Sequence, residues 1–258
     1  MDLGFAGKVA LVTGVGSQIG FGKGIALYLA KEGCDIVAVD IDLEGAKKTA
    51  LEIGSLGRKV IAIKTDISNN TEVESMVAEA LLKFGKIDIL INNAGAGTVL
   101  KPFIEMTREE WDIPIKTNLY GTLNVTRAVI PHMISRKYGR IVNITGGQGM
   151  PTISMYGASK AGVTAFTKSL ASELIGYGII VNGIHPGLGN TGLNIGGRSG
   201  RKLTDEEVKA ASERFGTKRF CTGEDLGPIV AFLASDICSY MVGEVLNMSA
   251  GTPRAFFP

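Results

Sequence analysis

Tyr156 and Lys160 are the residues of this chain best suited to chemistry. They lie in Tyr156-Gly157-Ala158-Ser159-Lys160, at the head of a small-residue, apolar stretch that reads as helix through Phe166. On a helix, positions i and i+4 share one face, so a phenol and an ammonium stand side by side. A nearby positive charge favours the ionised form of an acid and lowers the phenol's pKa. Such a pair can pass a proton to or from an alcohol or ketone near neutral pH. Taken alone, the same spacing also describes many exposed Tyr/Lys pairs, so its meaning depends on the elements that place it.

A second group of residues suits a dinucleotide. The β-branched, apolar run at 8–13 reads as a strand buried on both faces. Gly14-Val15-Gly16-Ser17-Gln18-Ile19-Gly20-Phe21-Gly22 follows, then a helical stretch at 23–32. Strand, glycine loop and helix form a pyrophosphate cradle: Gly14 allows the turn, Gly20 lets the backbone approach, and Gly22 packs helix on strand. The next strand, 35–40, ends in Asp40. A carboxylate about 20 residues beyond such a loop accepts hydrogen bonds from an adenosine ribose and repels a 2′-phosphate. Ile41, not a basic residue, comes next. NAD is therefore expected rather than NADP.

The elements around these residues alternate. A helix is expected at 43–55, a strand at 60–65, a helix at 70–84 and a strand at 88–91. That pattern predicts a doubly wound parallel sheet with helices on both faces. Ligands then lie beyond the carboxyl ends of the strands, where Thr13-Gly14, Asp40, Asp66 and Asn92-Asn93-Ala94-Gly95 fall.

Composition narrows the rest. A chain of 258 residues suits one well-cored domain, read here as 1–258. A net charge of +2 does not point to nucleic acid or a membrane surface, and no run is long enough to span a bilayer. The first residues are not a secretory signal, so a cytoplasmic location is expected. Cys34, Cys221 and Cys238 are far apart and odd in number. They read as small buried residues in a reducing compartment, with no metal implied. His132 reads as solvated, and neither it nor His185 is assigned chemistry.

Over nearly its whole length the chain resembles the short-chain dehydrogenase/reductase family. The resemblance rests on Thr13-Gly14…Gly20-Phe21-Gly22, Asp66-Ile67, Asn92-Asn93-Ala94-Gly95 and Asn118 in Thr117-Asn118-Leu119-Tyr120-Gly121. It continues through Arg140-Ile141-Val142-Asn143-Ile144, Tyr156-x-x-Ser159-Lys160, Val181-Asn182…Pro186-Gly187 and Thr191. Phe232-Leu233-Ala234-Ser235-Asp236 and Val242-Gly243 complete it. The resemblance implies one Rossmann-type α/β domain with a seven-stranded parallel sheet. It implies an enzyme that interconverts a small secondary alcohol and a ketone, or reduces a 3-oxoacyl thioester. A dinucleotide-binding member without turnover is the other alternative. Tyr156 would transfer the proton, Lys160 would tune it and hold the nicotinamide ribose, and Asn118 would hold a water leading from Lys160 to solvent. Gly14, Ser17, Gln18, Ile19 and Gly20 would hold the pyrophosphate. Asp66 and Ile67 would hold the adenine, with Asn93, Ala94 and Gly95 alongside the adenosine. Pro186, Gly187 and Thr191 would hold the carboxamide. A homotetramer through helices at 122–135 and 158–172 is also implied.

Two departures stand out. Gly14 and Gly20 have five residues between them, more than the family's usual spacing, which predicts a bulge over the pyrophosphate. The family's catalytic serine is replaced by Gly146 in Asn143-Ile144-Thr145-Gly146-Gly147-Gln148. Thr145, Gln148 or a water could supply the missing hydrogen bond. Thr145 is preferred slightly because a one-residue slip is a small change, with Gln148 close behind. A glycine-rich lid is expected at 188–220, with Thr204-Asp205-Glu206-Glu207 capping a helix inside it. Its basic residues Arg198, Arg201, Lys202, Arg214, Lys218 and Arg219 read as a solvated surface rather than a site for an acidic substrate. Pro114 should interrupt the helix opened by Thr107, and the aromatic tail at 254–258 should pack on a neighbour or over the pocket.

Overall fold

The computed structural model describes residues 2–147, 149–189, 191, 204–213 and 216–251. Its centre is a seven-stranded sheet in the order β3-β2-β1-β4-β5-β6-β7, with every neighbouring pair parallel. The strands are β1 (Val9–Thr13), β2 (Asp35–Asp40), β3 (Val60–Lys64), β4 (Ile89–Asn92), β5 (Gly139–Ile144), β6 (Ile179–His185) and β7 (Val245–Asn247). The helices are α1 (Phe21–Lys31), α2 (Leu43–Ser55), α3 (Asn70–Phe84), α4 (Arg108–Pro114), α5 (Gly121–Arg136), α6 (Ser154–Leu174), α7 (Asp205–Ser212) and α8 (Gly223–Ala234).

Side-chain alternation explains why the central strands are apolar throughout. Ala10 and Val12 of β1 join the core beneath α1 and α8, whereas Val9 and Leu11 join the core beneath α3, α5 and α6. Ile36 and Ala38 of β2, and Ile89 and Ile91 of β4, repeat the first assignment; Val37, Val39 and Leu90 repeat the second. A strand covered on both faces must be apolar at every position, not every other one. The chain reverses its order of travel across the sheet between β1 and β4, which opens a crevice at their carboxyl ends.

Local signals place the ends of the elements. The Asn69 side chain accepts from the Thr71 and Glu72 N–H groups, and Gly85 ends α3 in the left-handed region. Thr107 and Glu110 form a reciprocal capping box on α4. Pro114 cannot donate to the carbonyl one turn back. Beyond it, 115–120 forms a wide π-turn before α5 begins. Asn118 sits in that turn and is fully buried. Thr204 and Glu207 form the expected capping pair at α7.

Several charged groups are structural. Asp88, at the amino end of β4, accepts from Val9 N–H at 2.9 Å and pairs with Arg136 at 2.7 Å. It lies at the opposite end of the sheet from the crevice. Arg219 makes a two-pronged contact with Asp225 at 2.5 and 2.7 Å. Of the basic residues expected to be solvated, this one therefore braces the start of α8. Arg198, Arg201, Lys202, Arg214 and the tail at 254–258 lie outside the described residues. Two expectations change. Cys221 is half-buried, while Cys34 and Cys238 are buried. His132 is half-buried rather than solvated. Burial, then Arg136, pushes its imidazole pKa down.

Candidate active site

A single cleft at the carboxyl ends of the strands gathers most of the expected residues. Gly14, Ser17, Gly20, Asp40, Asn93, Ala94 and Gly95 line its β1–β4 side, and Thr145, Tyr156, Lys160, Pro186, Gly187 and Thr191 line the rest. Phe21, Ile144, Gly146, Gly147, Met150 and His185 also form its wall.

The β1–β4 side is built by Thr13. Its hydroxyl donates to Ile91 C=O at 3.3 Å and accepts from the Asn93 and Ala94 N–H groups, both at 3.0 Å. The Asn93 amide returns two bonds to the carbonyls of Thr13 and Gly14, at 2.9 and 3.1 Å. Together they lock the glycine loop to the end of β4. A Cβ at position 22 would lie 2.1 Å from the Gly14 carbonyl oxygen, so only glycine lets α1 start this close to the strand.

The longer loop departs from the expected bulge. Gly20 N–H turns back to Ser17 C=O at 3.0 Å. Gln18 reaches sideways, donating to Gly16 C=O at 2.9 Å and to Gly45 C=O at 3.1 Å. The extra residues thus tie the loop to α2. Gln18 and Ile19 do not line the cleft, and Ile19 is exposed. Asp40 accepts from Gly16 N–H at 2.7 Å and from Asp42 N–H at 2.9 Å, so its carboxylate is fixed at the cleft rim.

Asp66 and Ile67 also stand off the cleft wall. The Asp66 carboxylate accepts from the Ser68 N–H and hydroxyl at 2.9 and 2.8 Å. The Ile67 side chain is buried against Gly121, where an added Cβ would come within 2.6 Å. Asn92 joins β4 to its neighbours, donating to Thr126 and to Asn143, both at 2.9 Å. These are side-chain partners, not the backbone groups a strand-end Asn often satisfies.

The reactive end is built on α6. Tyr156 and Lys160 are both buried and share the cleft, as their spacing on the helix requires. Lys160 Nζ donates to Ile144 C=O at 2.8 Å. Burial pulls its pKa down to about 8. Ser159, on the inner side of the same turn, donates to Tyr156 C=O at 2.7 Å and accepts from the Asn118 amide at 3.0 Å. Asn118 also accepts from Ala96 N–H at 2.7 Å and donates to Ala96 C=O at 3.1 Å. The π-turn therefore clamps the 95–96 segment to α6. A Cβ at Gly95 would lie 3.1 Å from Asn118 Oδ1 and 3.7 Å from Lys160 Nζ, which puts both groups beside one point of the cleft.

The end of β5 holds the departure noted in the sequence. Gly146 and Gly147 both have positive φ, +122° and +70°. An added Cβ would meet His185 Cδ2 at 2.7 Å from position 146, and Tyr156 Cε1 at 2.4 Å from position 147. Two successive glycines thus make room for two rings. Thr145 lines the cleft, but its hydroxyl donates to Ile184 C=O at 3.2 Å. Gln148 lies outside the described residues. His185 is the group that sequence reasoning passed over. It was legible as the last residue of β6, the same kind of strand end that marked Thr13 and Asp40.

The cleft fits a dinucleotide on its own features. It has a glycine loop closed onto a helix start, a carboxylate at the end of β2, and a buried cation deep inside. Among the described residues no group of three His, Cys, Asp or Glu side chains could hold a metal. None of the described helices is long and apolar enough to cross a membrane.

Comparisons with known proteins agree. The family model for short chain dehydrogenase matches residues 8–202. A 3-oxoacyl-[acyl-carrier-protein] reductase of Thermotoga maritima is 37% identical, covering 95% of this chain and 97% of the relative. A solved 3-ketoacyl-(acyl-carrier-protein) reductase from Brucella melitensis, complexed with NADH, is 35% identical with a TM-score of 0.85, covering 95% of this chain and 98% of that one. An NAD⁺-bound xylitol dehydrogenase is 31% identical with a TM-score of 0.87, covering 96% and 100%. Sequence, sheet order and cleft all lead to one assignment: the chain belongs to the short-chain dehydrogenase/reductase family of oxidoreductases.

Proposed function

We propose that this protein interconverts a secondary alcohol and a ketone with NAD(H). The observation that carries the reading is the placement of Tyr156 and Lys160 in the same cleft as the glycine loop and Asp40. Gly14, Ser17, Gly20, Asp40, Pro186, Gly187 and Thr191 would hold the dinucleotide. When bound, its nicotinamide supplies or takes up the hydride. Tyr156 Oη gives a proton to the carbonyl oxygen during reduction and takes it back during oxidation. Lys160, still mostly charged at pH 7 with a pKa of about 8, lowers the phenol's pKa and grips the nicotinamide ribose. Asn118 completes the relay through a water leading from Lys160 to solvent. The active form is a cytoplasmic homotetramer joined through 122–135 and 158–172.

A 3-oxoacyl thioester is the second substrate class, favoured by the Thermotoga relative. Asp40 argues against the NADPH usual for that class, while the Brucella reductase solved with NADH supports keeping it as the alternative. The test is turnover on secondary alcohols, ketones and 3-oxoacyl thioesters, each with NAD(H) and NADP(H). Faster turnover of a thioester replaces the substrate class and keeps the chemistry. No turnover with any of them leaves a binding protein and overturns the reading.

A further inference from the structure

We propose that Thr49 is a positioning residue for the cofactor: from inside α2 it fixes the peptide that aims Asp40 at the adenosine ribose, and so helps set the preference for NADH over NADPH. The inference rests on the NAD(H) reading above and deepens it. Asp40 takes one N–H on each carboxylate oxygen. Oδ2 accepts from Gly16 at 2.7 Å and Oδ1 from Asp42 at 2.9 Å. An ionised carboxylate has about four acceptor positions, so each oxygen keeps one for a ribose hydroxyl. The Asp42 N–H comes with the start of α2, which the Asp42 side chain caps by accepting from Gly45 N–H. The Gly16 N–H comes from the glycine loop. Whatever holds that loop decides where Oδ2 can sit.

Thr49 holds it. Its hydroxyl donates to Val15 C=O at 2.8 Å. Val15 C=O and Gly16 N–H belong to one peptide unit, which is planar and, when trans, directs the two groups to opposite sides. Fixing the oxygen therefore fixes the direction of the N–H, and with it Asp40. Thr49 and Val15 are both fully buried, so water does not compete for the bond. Thr49 itself is not part of the cleft wall, whereas Asp40 is. It acts through the peptide and the carboxylate, not by touching the dinucleotide.

A chain of partners stands behind the hydroxyl. Gln18 Nε2 approaches Thr49 Oγ1 at 3.5 Å while donating to Gly16 C=O at 2.9 Å and to Gly45 C=O at 3.1 Å. Lys23 Nζ donates to Gln18 Oε1 at 2.9 Å and pairs with Glu52 at 2.7 Å. Glu52 lies three residues beyond Thr49 on α2, and positions three apart are neighbours on a helix. The chain thus runs from α2 through α1 and the loop and closes on α2 again.

The test compares Thr49→Val, which keeps the shape and removes the hydroxyl, with Thr49→Ser, which keeps the hydroxyl, in the full-length protein. Dissociation constants for NADH and NADPH are measured by fluorescence, in the wild-type and the Asp40→Ala backgrounds. Thr49→Val should weaken NADH binding and narrow the NADH-to-NADPH affinity ratio by about two- to tenfold, the range of one hydrogen bond, while Thr49→Ser keeps the ratio within about twofold. In the Asp40→Ala background Thr49→Val should not change the ratio further, because the group it positions is gone. Gln18→Met, at the exposed end of the chain, should narrow the ratio in the same direction, and it decides the matter should Thr49→Val not fold. Equal weakening of both cofactors with the ratio kept makes Thr49 a packing residue and overturns the proposal. The same narrowing with Asp40 already removed also overturns it. A wild type that does not favour NADH overturns this proposal together with the choice of cofactor. Turnover is measured separately: its absence overturns the reaction, while the affinity ratios still decide the role of Thr49.

Discussion

Gly146 and His185 occupy one another's space: a Cβ on the first would fall 2.7 Å from Cδ2 of the second. The ring therefore stands where a side chain at 146 would begin. It also makes a counterintuitive prediction. Gly146→Ser restores the family residue yet should slow the enzyme, because φ at 146 is +122° and the ring is already there. A side chain held in such a region costs on the order of 1–3 kcal/mol. Steady-state kinetics and thermal melting should show a lower kcat and a lower Tm. A faster, equally stable variant would mean that the ring moves aside freely.

Gly147 makes the matching case for Tyr156. An added Cβ would lie 2.4 Å from the phenol ring. Gly147→Ala should therefore displace the ring and reduce kcat by tenfold or more, with little change in NADH affinity. Unaltered kcat would show that the tyrosine has a second productive position.

Lys160 supplies a pH dependence of stability. Its pKa falls from 10.5 in the ordinary state to about 8 when folded. Between those values the unfolded chain binds the proton and the folded chain does not. Stability therefore rises with pH across that window, as the cost of a buried cation is relieved. The gain has an upper bound of about 3 kcal/mol, since one pKa unit is worth about 1.4 kcal/mol. Denaturant unfolding of the wild type and Lys160→Met at pH 7 and pH 10 checks it. The wild type should gain on the variant at pH 10. A constant difference would place the ammonium in a wetter site.

Asp40 should set the cofactor. Its carboxylate, fixed by the Gly16 and Asp42 N–H groups, would meet a 2′-phosphate with like charge. kcat/KM should favour NADH over NADPH by at least about tenfold, and Asp40→Ala should narrow the gap. A wild-type preference for NADPH would contradict the assignment.

The sheet was legible because strands covered on both faces must be apolar throughout, and strand, glycine loop and helix have a fixed order. The Tyr156/Lys160 pair was legible because helical spacing alone brings the two side chains together. Contacts between distant segments were harder to read. Nothing local to Gln18 says that its amide will reach Gly45. Nothing around Gly146 says that a residue 39 positions later will fill its space. Asp66 also holds the turn before α3, and Ile67 also packs against Gly121, contacts that their own segment does not announce. Such roles depend on how the β–α units dock, and no single segment carries them.

Tyr156→Phe isolates the proton-transfer role of Tyr156. It keeps the ring and removes the hydroxyl that would carry the proton. The measurement is kcat for ketone reduction, with NADH binding followed in parallel by fluorescence. kcat should fall by about 10²-fold or more, with NADH still bound at near wild-type affinity. Near-normal turnover in that variant would contradict it.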